Sequence, residues 1–333
     1  AMDILDGLWR RVGQVMEYAI MSYYVDTGNP AAAGLLCKAQ GLMANNLAAT
    51  AVVDPELLSV GQGTLRRWMA DEPRLAIYDH YVDDLFRKQA HVRSPEVEAL
   101  FGLLSDPFSS VEMTASMLTN ADFKFEPARS SDGDEVPFTG GTHEAILLSP
   151  DREVRRTAWE KYADTFLAFK NTLANNLITS IKQNVFVVQA RRHSSTLEAA
   201  LFAHNLPVEV FHNLIDTFRR NLPVWHRYWR IRRQALGVDR LYPYDIWAPL
   251  TDQPPTFTYQ EAVEWICRGL APMGTEYVDV VRRACLEERW VDVYPNQGKE
   301  AGAFSSGSPG TYPFILMNYT DDLKSLSTLA HEL

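Results

Sequence analysis

Apolar residues recur at three- and four-residue spacing along most of the chain, the period of a helix with one buried face. Residues 3–24 set Ile4, Leu5, Leu8, Val12, Val15, Met16, Ala19 and Ile20 on one stripe. Similar stripes run from Glu56 to about Leu104, broken at Pro73 and at Ser94-Pro95. Ser94 before Pro95 reads as an N-cap followed by proline at the first helical position, where a missing N–H costs nothing. Residues 1–120 are expected to form a helical layer.

At 122–141 the period changes. Phe123, Phe125, Val136 and Phe138 alternate with polar residues around the turn Ser131-Asp132-Gly133-Asp134, which predicts a β-hairpin, with Gly140-Gly141 after it as a hinge. From Ser149-Pro150 one long helix is expected to about Arg192, with no Gly or Pro inside it. Further helices are expected over about 207–236, over about 258–272 behind the capping box Thr258 to Glu261, and to about Arg289. The aromatic stripe Trp225, Tyr228 and Trp229 reads as packing surface. Pro313–Tyr319 reads as a strand, and from Asp321 the chain turns helical with Leu323, Leu326, Leu329, Ala330 and Leu333 as its apolar face. The expected fold is mainly α with a small β element beside the last helix. It divides into an N-terminal helical domain at 1–121 and a second domain at 122–333.

Charge and composition narrow the function classes. Lys and Arg number 32 against 42 Asp and Glu, a net charge of −10, so the broad basic field that neutralises phosphates is missing and nucleic acid is not an expected partner. Three widely spaced cysteines, Cys37, Cys267 and Cys285, form no CxxC pair and indicate neither a disulfide framework nor a thiolate zinc site. No apolar run reaches the roughly 18 residues a membrane helix needs. The first residues lack the apolar core of a signal peptide. The expectation is a cytoplasmic protein without membrane partners.

The candidate chemistry lies in the last helix. His331-Glu332 is the front half of H-E-x-x-H, whose second histidine one turn later completes a zinc pair. On spacing alone an exposed helical histidine stands beside that reading. His143-Glu144 is the other His-Glu dipeptide, but the fourth residue after His143 is Leu147, so His143 is expected as a polar hinge residue. His80, His91, His193, His204, His212 and His226 have no histidine four residues away and are expected as surface or capped histidines, one or two of them lining a cleft. Ser305, Ser306 and Ser308 sit in a segment without G-x-S-x-G and without a phosphate-loop lysine, so it reads as a flexible turn.

The segment Gly302-Ala-Phe-Ser-Ser-Gly-Ser-Pro-Gly-Thr-Tyr-Pro-Phe-Ile-Leu-Met-Asn-Tyr319, with the following Asp-Asp-Leu and Thr328-Leu-Ala-His-Glu-Leu333, resembles the oligoendopeptidase F family of zinc peptidases, relatives of the thimet-type oligopeptidases. Ser116–Asp122, Ser149–Arg156, Tyr244–Trp247 and Glu287–Tyr294 carry the likeness along the chain. The resemblance implies a zincin-like helical oligopeptidase fold with a deep channel, in which 122–333 is the front part of the catalytic domain. It implies a zinc-dependent endopeptidase acting on short, unstructured oligopeptides. His331 would be the first ligand of one Zn2+ and Glu332 the general base that takes a proton from the zinc-bound water. The strand before the last helix would pair with the substrate backbone, with Ala303, Phe304 and Tyr312 lining the site. The second motif histidine and the downstream glutamate ligand are absent from the 333 residues, so the zinc needs ligands beyond Leu333. The alternative is a truncated, non-catalytic helical fragment or peptide-binding module, and the 333 residues alone are expected to be inactive. The sequence assigns no oligomeric state.

Overall fold

Helix dominates the computed structural model, which describes residues 2–251 and 254–333. In chain order the helices are α1 (Met2–Val25), α2 (Pro30–Thr50), α3 (Val53–Val60), α4 (Gln62–Asp71), α5 (Asp79–Lys88), α6 (Pro95–Ser116), α7 (His143–Ile146), α8 (Arg152–Ala168), α9 (Lys170–Ala190), α10 (Thr196–Ala203), α11 (Val208–Ala235), α12 (Tyr259–Gly269), α13 (Thr275–Leu286) and α14 (Leu323–Glu332). The strands are β1 (Ala128–Arg129), β2 (Glu135–Val136), β3 (Val291–Asp292), β4 (Phe304–Ser306) and β5 (Phe314–Leu316). The chain divides into two compact units.

The first unit comprises Ala1–Val12, Lys38–Met113 and Ala174–Arg220. Ala39, Ala44, Leu65, Val82 and Leu85 are buried in it. Gly102 of α6 meets α2 so closely that a Cβ there would fall 2.5 Å from the Ala48 backbone nitrogen, which is why this helical position is a glycine.

The second unit comprises Gly13–Cys37, Thr114–Leu173 and Asn221–Leu333. Its main core joins α12, α13, α14 and the sheet through Val263, Ile266, Cys267, Val281, Ile315, Met317, Tyr319 and Leu329. A smaller core of Ala128, Phe138, Val154 and Ala158 seats the β1–β2 hairpin on α8. The hairpin register is Ala128↔Val136 and Arg129↔Glu135 around Gly133, whose φ of 91° suits a glycine. Between α11 and α12 the carboxylate of Asp245, 0% exposed, accepts from Arg152 Nη2 at 2.8 Å and Arg155 Nη2 at 3.2 Å. It also accepts from the Tyr242 backbone N–H at 3.0 Å, and Arg232 of α11 donates to the carbonyls of Asp245 and Ala248. The segment linking α11 to α12 is thereby tied to α8.

Several expectations change. The helix expected from Ser149 to Arg192 breaks at Phe169, whose backbone leaves the helical region at φ −107°, ψ 14°. Its ring packs against Phe123 at 5.0 Å, a contact that no local period encodes. The helix expected over 258–272 ends at Gly269, and a 3₁₀ turn, Ala271–Met273, separates it from Gly274. Gly140-Gly141 is not an open hinge. It forms a 3₁₀ turn closed by the Thr139/Thr142 capping box. Helix α10 has no counterpart among the expected helices, and the Gly/Ser-rich segment expected as a flexible turn contains strand β4. Trp225, Tyr228 and Trp229 pack on one another, yet Trp225 and Tyr228 stay 44% and 45% exposed and line a recess with Trp247.

Candidate functional site

Strand β5 runs between β3 and β4 in the order β3-β5-β4. It is parallel to β3, in register Val291↔Ile315, and antiparallel to β4, in register Ser305↔Ile315. The backbone nitrogens of Ile315, Met317 and Tyr319 donate to the carbonyls of Trp290, Asp292 and Val293 at 2.8, 2.9 and 2.9 Å. The strand before the last helix is therefore paired on both sides and cannot take a further strand, contrary to the expectation that it binds substrate. The edges of this sheet are β3 and β4. Among the described residues no backbone hydrogen bond joins β4 to anything but β5.

The loop before β4 is firmly held. Lys299, buried, donates to Asp292 and to the Tyr294 carbonyl at 2.7 Å. Burial pushes its ammonium pKa down, and Asp292 opposes that shift without reversing it. Thr27 bonds the Gly298 carbonyl through both its backbone and its hydroxyl at 2.7 Å. Gly298 has φ 83°, and a Cβ there would stand 2.6 Å from Asp26, so only glycine fits. The Glu300 carboxylate accepts from Ser116 at 2.9 Å and Asn120 at 2.8 Å.

Helix α14 begins at a capped turn. Asp322 accepts from the Ser325 backbone N–H at 2.7 Å, and Thr320 donates to the other Asp322 oxygen at 2.7 Å. Asp321 takes a left-handed φ of 56° to enter this turn, and its carbonyl accepts from Phe257 N at 2.8 Å. Leu329 is fully buried, and Leu326 and Leu333 pack on the same core. His331 lies about 200° around the helix from Leu329 and is exposed. Glu332 is half-buried and stands about 40° and 20° from Thr328 and Ser325 on the wheel.

Ser325 and Thr328 line a recess of about 200 Å³ with Gly141, His143, Tyr162, Ala303, Met317 and Asn318. Of the residues named from the sequence, Ala303 thus reaches the α14 face that continues to Glu332. Phe304 follows on β4, with its ring edge-on to Tyr24 at 5.6 Å. Tyr312, 55% exposed, stacks on Trp290 at 5.0 Å and is not part of the recess lining. His143, expected as a polar hinge, instead stacks on Tyr162 at 3.7 Å. Burial pushes its pKa down to about 4, Lys324 adds to the fall and Glu144 opposes it.

The donor chemistry around His331 fits zinc in kind but not in number. An exposed imidazole that no hydrogen bond engages among the described residues is a suitable ligand, whereas catalytic zinc takes three protein ligands. No group of three potential ligands forms around it among the described residues. One such group exists elsewhere, at His91, His193 and Glu198 in the first unit, and spacing gave no sign of it. There the two imidazoles are stacked 3.7 Å apart at 8°, so their in-plane lone pairs run side by side rather than converging on one ion. His193 is held by Glu198 at 2.8 Å and His91 by the Arg191 carbonyl at 3.0 Å. Both are capped, as expected, and both line a cavity.

Comparison with known proteins gives a consistent set of relatives. Peptidase family M3 matches residues 145–333, and Oligopeptidase F matches residues 56–125. Oligopeptidase PepF of Bacillus subtilis is 38% identical over 100% of this chain and 50% of its own length. Group B oligopeptidase PepB of Streptococcus agalactiae is 35% identical over 98% of this chain and 54% of its own. The crystal structure of oligoendopeptidase-F from Enterococcus faecium superposes with a TM-score of 0.73 at 29% identity, covering 87% of this chain and 55% of that one. The chain therefore spans about half the length of the curated relatives it matches. Since the family match runs through α8, the β3-β5-β4 sheet and the His331–Glu332 turn without a break, the chain belongs to peptidase family M3, among its oligoendopeptidase F-type members.

Proposed function

We propose that this chain is the front part of a zinc-dependent endopeptidase that hydrolyses short, unstructured oligopeptides, with residues 122–333 opening its catalytic domain. The observation that carries the reading is a juxtaposition. An edge strand, β4, follows directly from Ala303, and Ala303 shares a recess with the face of α14 that continues to Glu332. An extended peptide can add to such an edge through main-chain hydrogen bonds, which recognises peptides without demanding one sequence. Free Cys37, Cys267 and Cys285 suit a reducing, cytoplasmic setting, and no helix among the described residues is long and apolar enough to cross a membrane.

His331 would hold the metal as one ligand of three, with α14, anchored by the buried Leu329, fixing where its side chain leaves the helix. Lewis-acid polarisation of the scissile carbonyl and acidification of a water are what zinc supplies in such sites. Glu332, one residue on, would accept the proton from that water and return it to the leaving amine. Because the described chain contributes one ligand here, the 333 residues alone are expected to bind peptides without cleaving them. That outcome is the peptide-binding reading of the same surface.

Substrate size tests the proposal. A segment must be extended to pair with β4, so a folded protein would first need to lose most of its stability, about 5–15 kcal/mol. Incubating the full-length enzyme with a peptide mixture and a stable folded protein should give cleavage of the peptides and little attack on the native protein. Rapid internal cleavage of the folded protein would overturn the edge-strand mode of binding.

A further inference from the structure

The recess beside α14 holds two buried polar atoms that its own walls leave without a partner, Asn318 Oδ1 and His143 Nε2. The orientation of Asn318 is chemically fixed. Its Nδ2 donates to the Glu300 carbonyl at 2.9 Å and the Gly302 carbonyl at 2.8 Å, and both of these can only accept. The side-chain oxygen is therefore left as an acceptor. It also lies close to Gly141, where a Cβ would come within 2.6 Å of it, so any other residue would crowd this oxygen. His143 is clamped against Tyr162 at 3.7 Å and 16°, with Phe138 at 6.0 Å, which leaves its ring little freedom to turn toward another partner. With its pKa pushed down to about 4, it is neutral at pH 7. Buried polar atoms in native proteins are normally bonded, and a concave site with a few convergent ones is the usual form of a ligand pocket.

We propose that this recess binds an amide group of a peptide, with an N–H directed to Asn318 Oδ1 and the amide also bonded to His143 Nε2. The inference rests on the peptidase reading and specifies what the site grips. A carboxylate would face Asn318 Oδ1 acceptor to acceptor beside a neutral imidazole, and the Lys324 cation in the lining is already paired with Glu144. An ammonium or guanidinium would share the recess with the Lys324 cation, which pairs with the exposed Glu144 and lies over the Trp247 ring. A neutral amide offers donor and acceptor together, and neutral imidazole answers either. Tyr162, Ala303 and Met317 supply apolar walls for the carbon beside it. Such an amide has two sources, a Gln or Asn side chain and a main-chain peptide unit.

Nitrogen NMR of the ¹⁵N-histidine-labelled 333-residue chain tests this, with the His143 signals assigned by their loss in His143→Phe. That variant keeps an aromatic ring on Tyr162 and removes Nε2. The probes are acetyl-Ala-Gln-Ala and acetyl-Ala-Leu-Ala, each closed by an N-methylamide. A shift of His143 Nε2 with the Gln peptide alone supports side-chain capture, and a shift with both supports main-chain capture. In either case His143→Phe should weaken binding of the shifting probe about threefold to tenfold, the worth of one neutral hydrogen bond. Peptide binding that leaves wild-type Nε2 unmoved overturns the amide recess whether or not the variant folds, as does an unchanged Kd in a folded variant, and both leave the peptidase reading standing. Failure of both peptides to bind overturns the two together.

Discussion

Replacing Glu332 by Gln in the full-length protein is expected to lower peptide hydrolysis by about 10²–10⁴-fold, the range set by loss of a general base. Metal content and fold should be unchanged. Gln has the shape of Glu, and among the described residues Glu332 makes no ion pair whose loss would unfold α14; the helix is held by Leu329 and the Asp322 cap. What the amide cannot do is accept a proton from water. The loss should therefore appear in kcat, with KM for peptides little altered, since the β4 edge and the recess are untouched. A metal-loaded Glu332→Gln enzyme with near-wild-type turnover would place the proton transfer elsewhere.

The second large effect concerns stability. Asp245→Asn should destabilise the second unit by about 3–5 kcal/mol, the usual cost of removing one partner from a buried charge cluster. The change leaves Arg155, itself buried, facing a neutral amide, while Arg152 loses its bidentate partner. The same group has a pH signature. Burial acts to raise the Asp245 pKa, but hydrogen bonds from Arg152, the Tyr242 backbone and Arg155 outweigh it, and the folded value lies below the ordinary carboxylate range. Its stabilisation is then fully present above the unfolded value of about 3.9 and is lost as pH falls through the lower folded value. Urea unfolding at pH 7, followed by aromatic circular dichroism, measures the difference. A loss under about 1 kcal/mol would mean that the cluster relaxes around the amide or draws in water.

The sequence made the helices legible because their stability comes from one buried face, and that face repeats every three or four residues. It also made the Thr258–Glu261 capping box and the Gly133 turn legible, since these motifs are local. What it hid depends on partners far along the chain. Phe169 breaks a helix that no Gly or Pro interrupts, and the ring it meets belongs to Phe123. Strand β4 is rich in serine and resembles a loop until β5 supplies its hydrogen bonds, as strand propensity is largely a statement about neighbours. His143 looked polar and free because nothing beside it in sequence predicts that Tyr162 will cover it. Asp245 sits in Tyr244-Asp-Ile-Trp247, which carried a family likeness but no sign that three arginines would converge on that segment. The His331-Glu332 pair was readable because both residues come from one helical turn, and the motif needs only that turn to place them.

Metal stoichiometry tests most directly whether α14 presents a metal ligand beside a base. Full-length protein and its His331→Ala variant, purified in parallel and dialysed against metal-free buffer, would be assayed for zinc by elemental analysis, with circular dichroism to confirm equal folding. About one zinc per wild-type molecule is expected, with a large loss in the variant, because two remaining protein ligands make a poor site. Stoichiometric zinc retained by a folded His331→Ala protein would contradict His331 as a ligand.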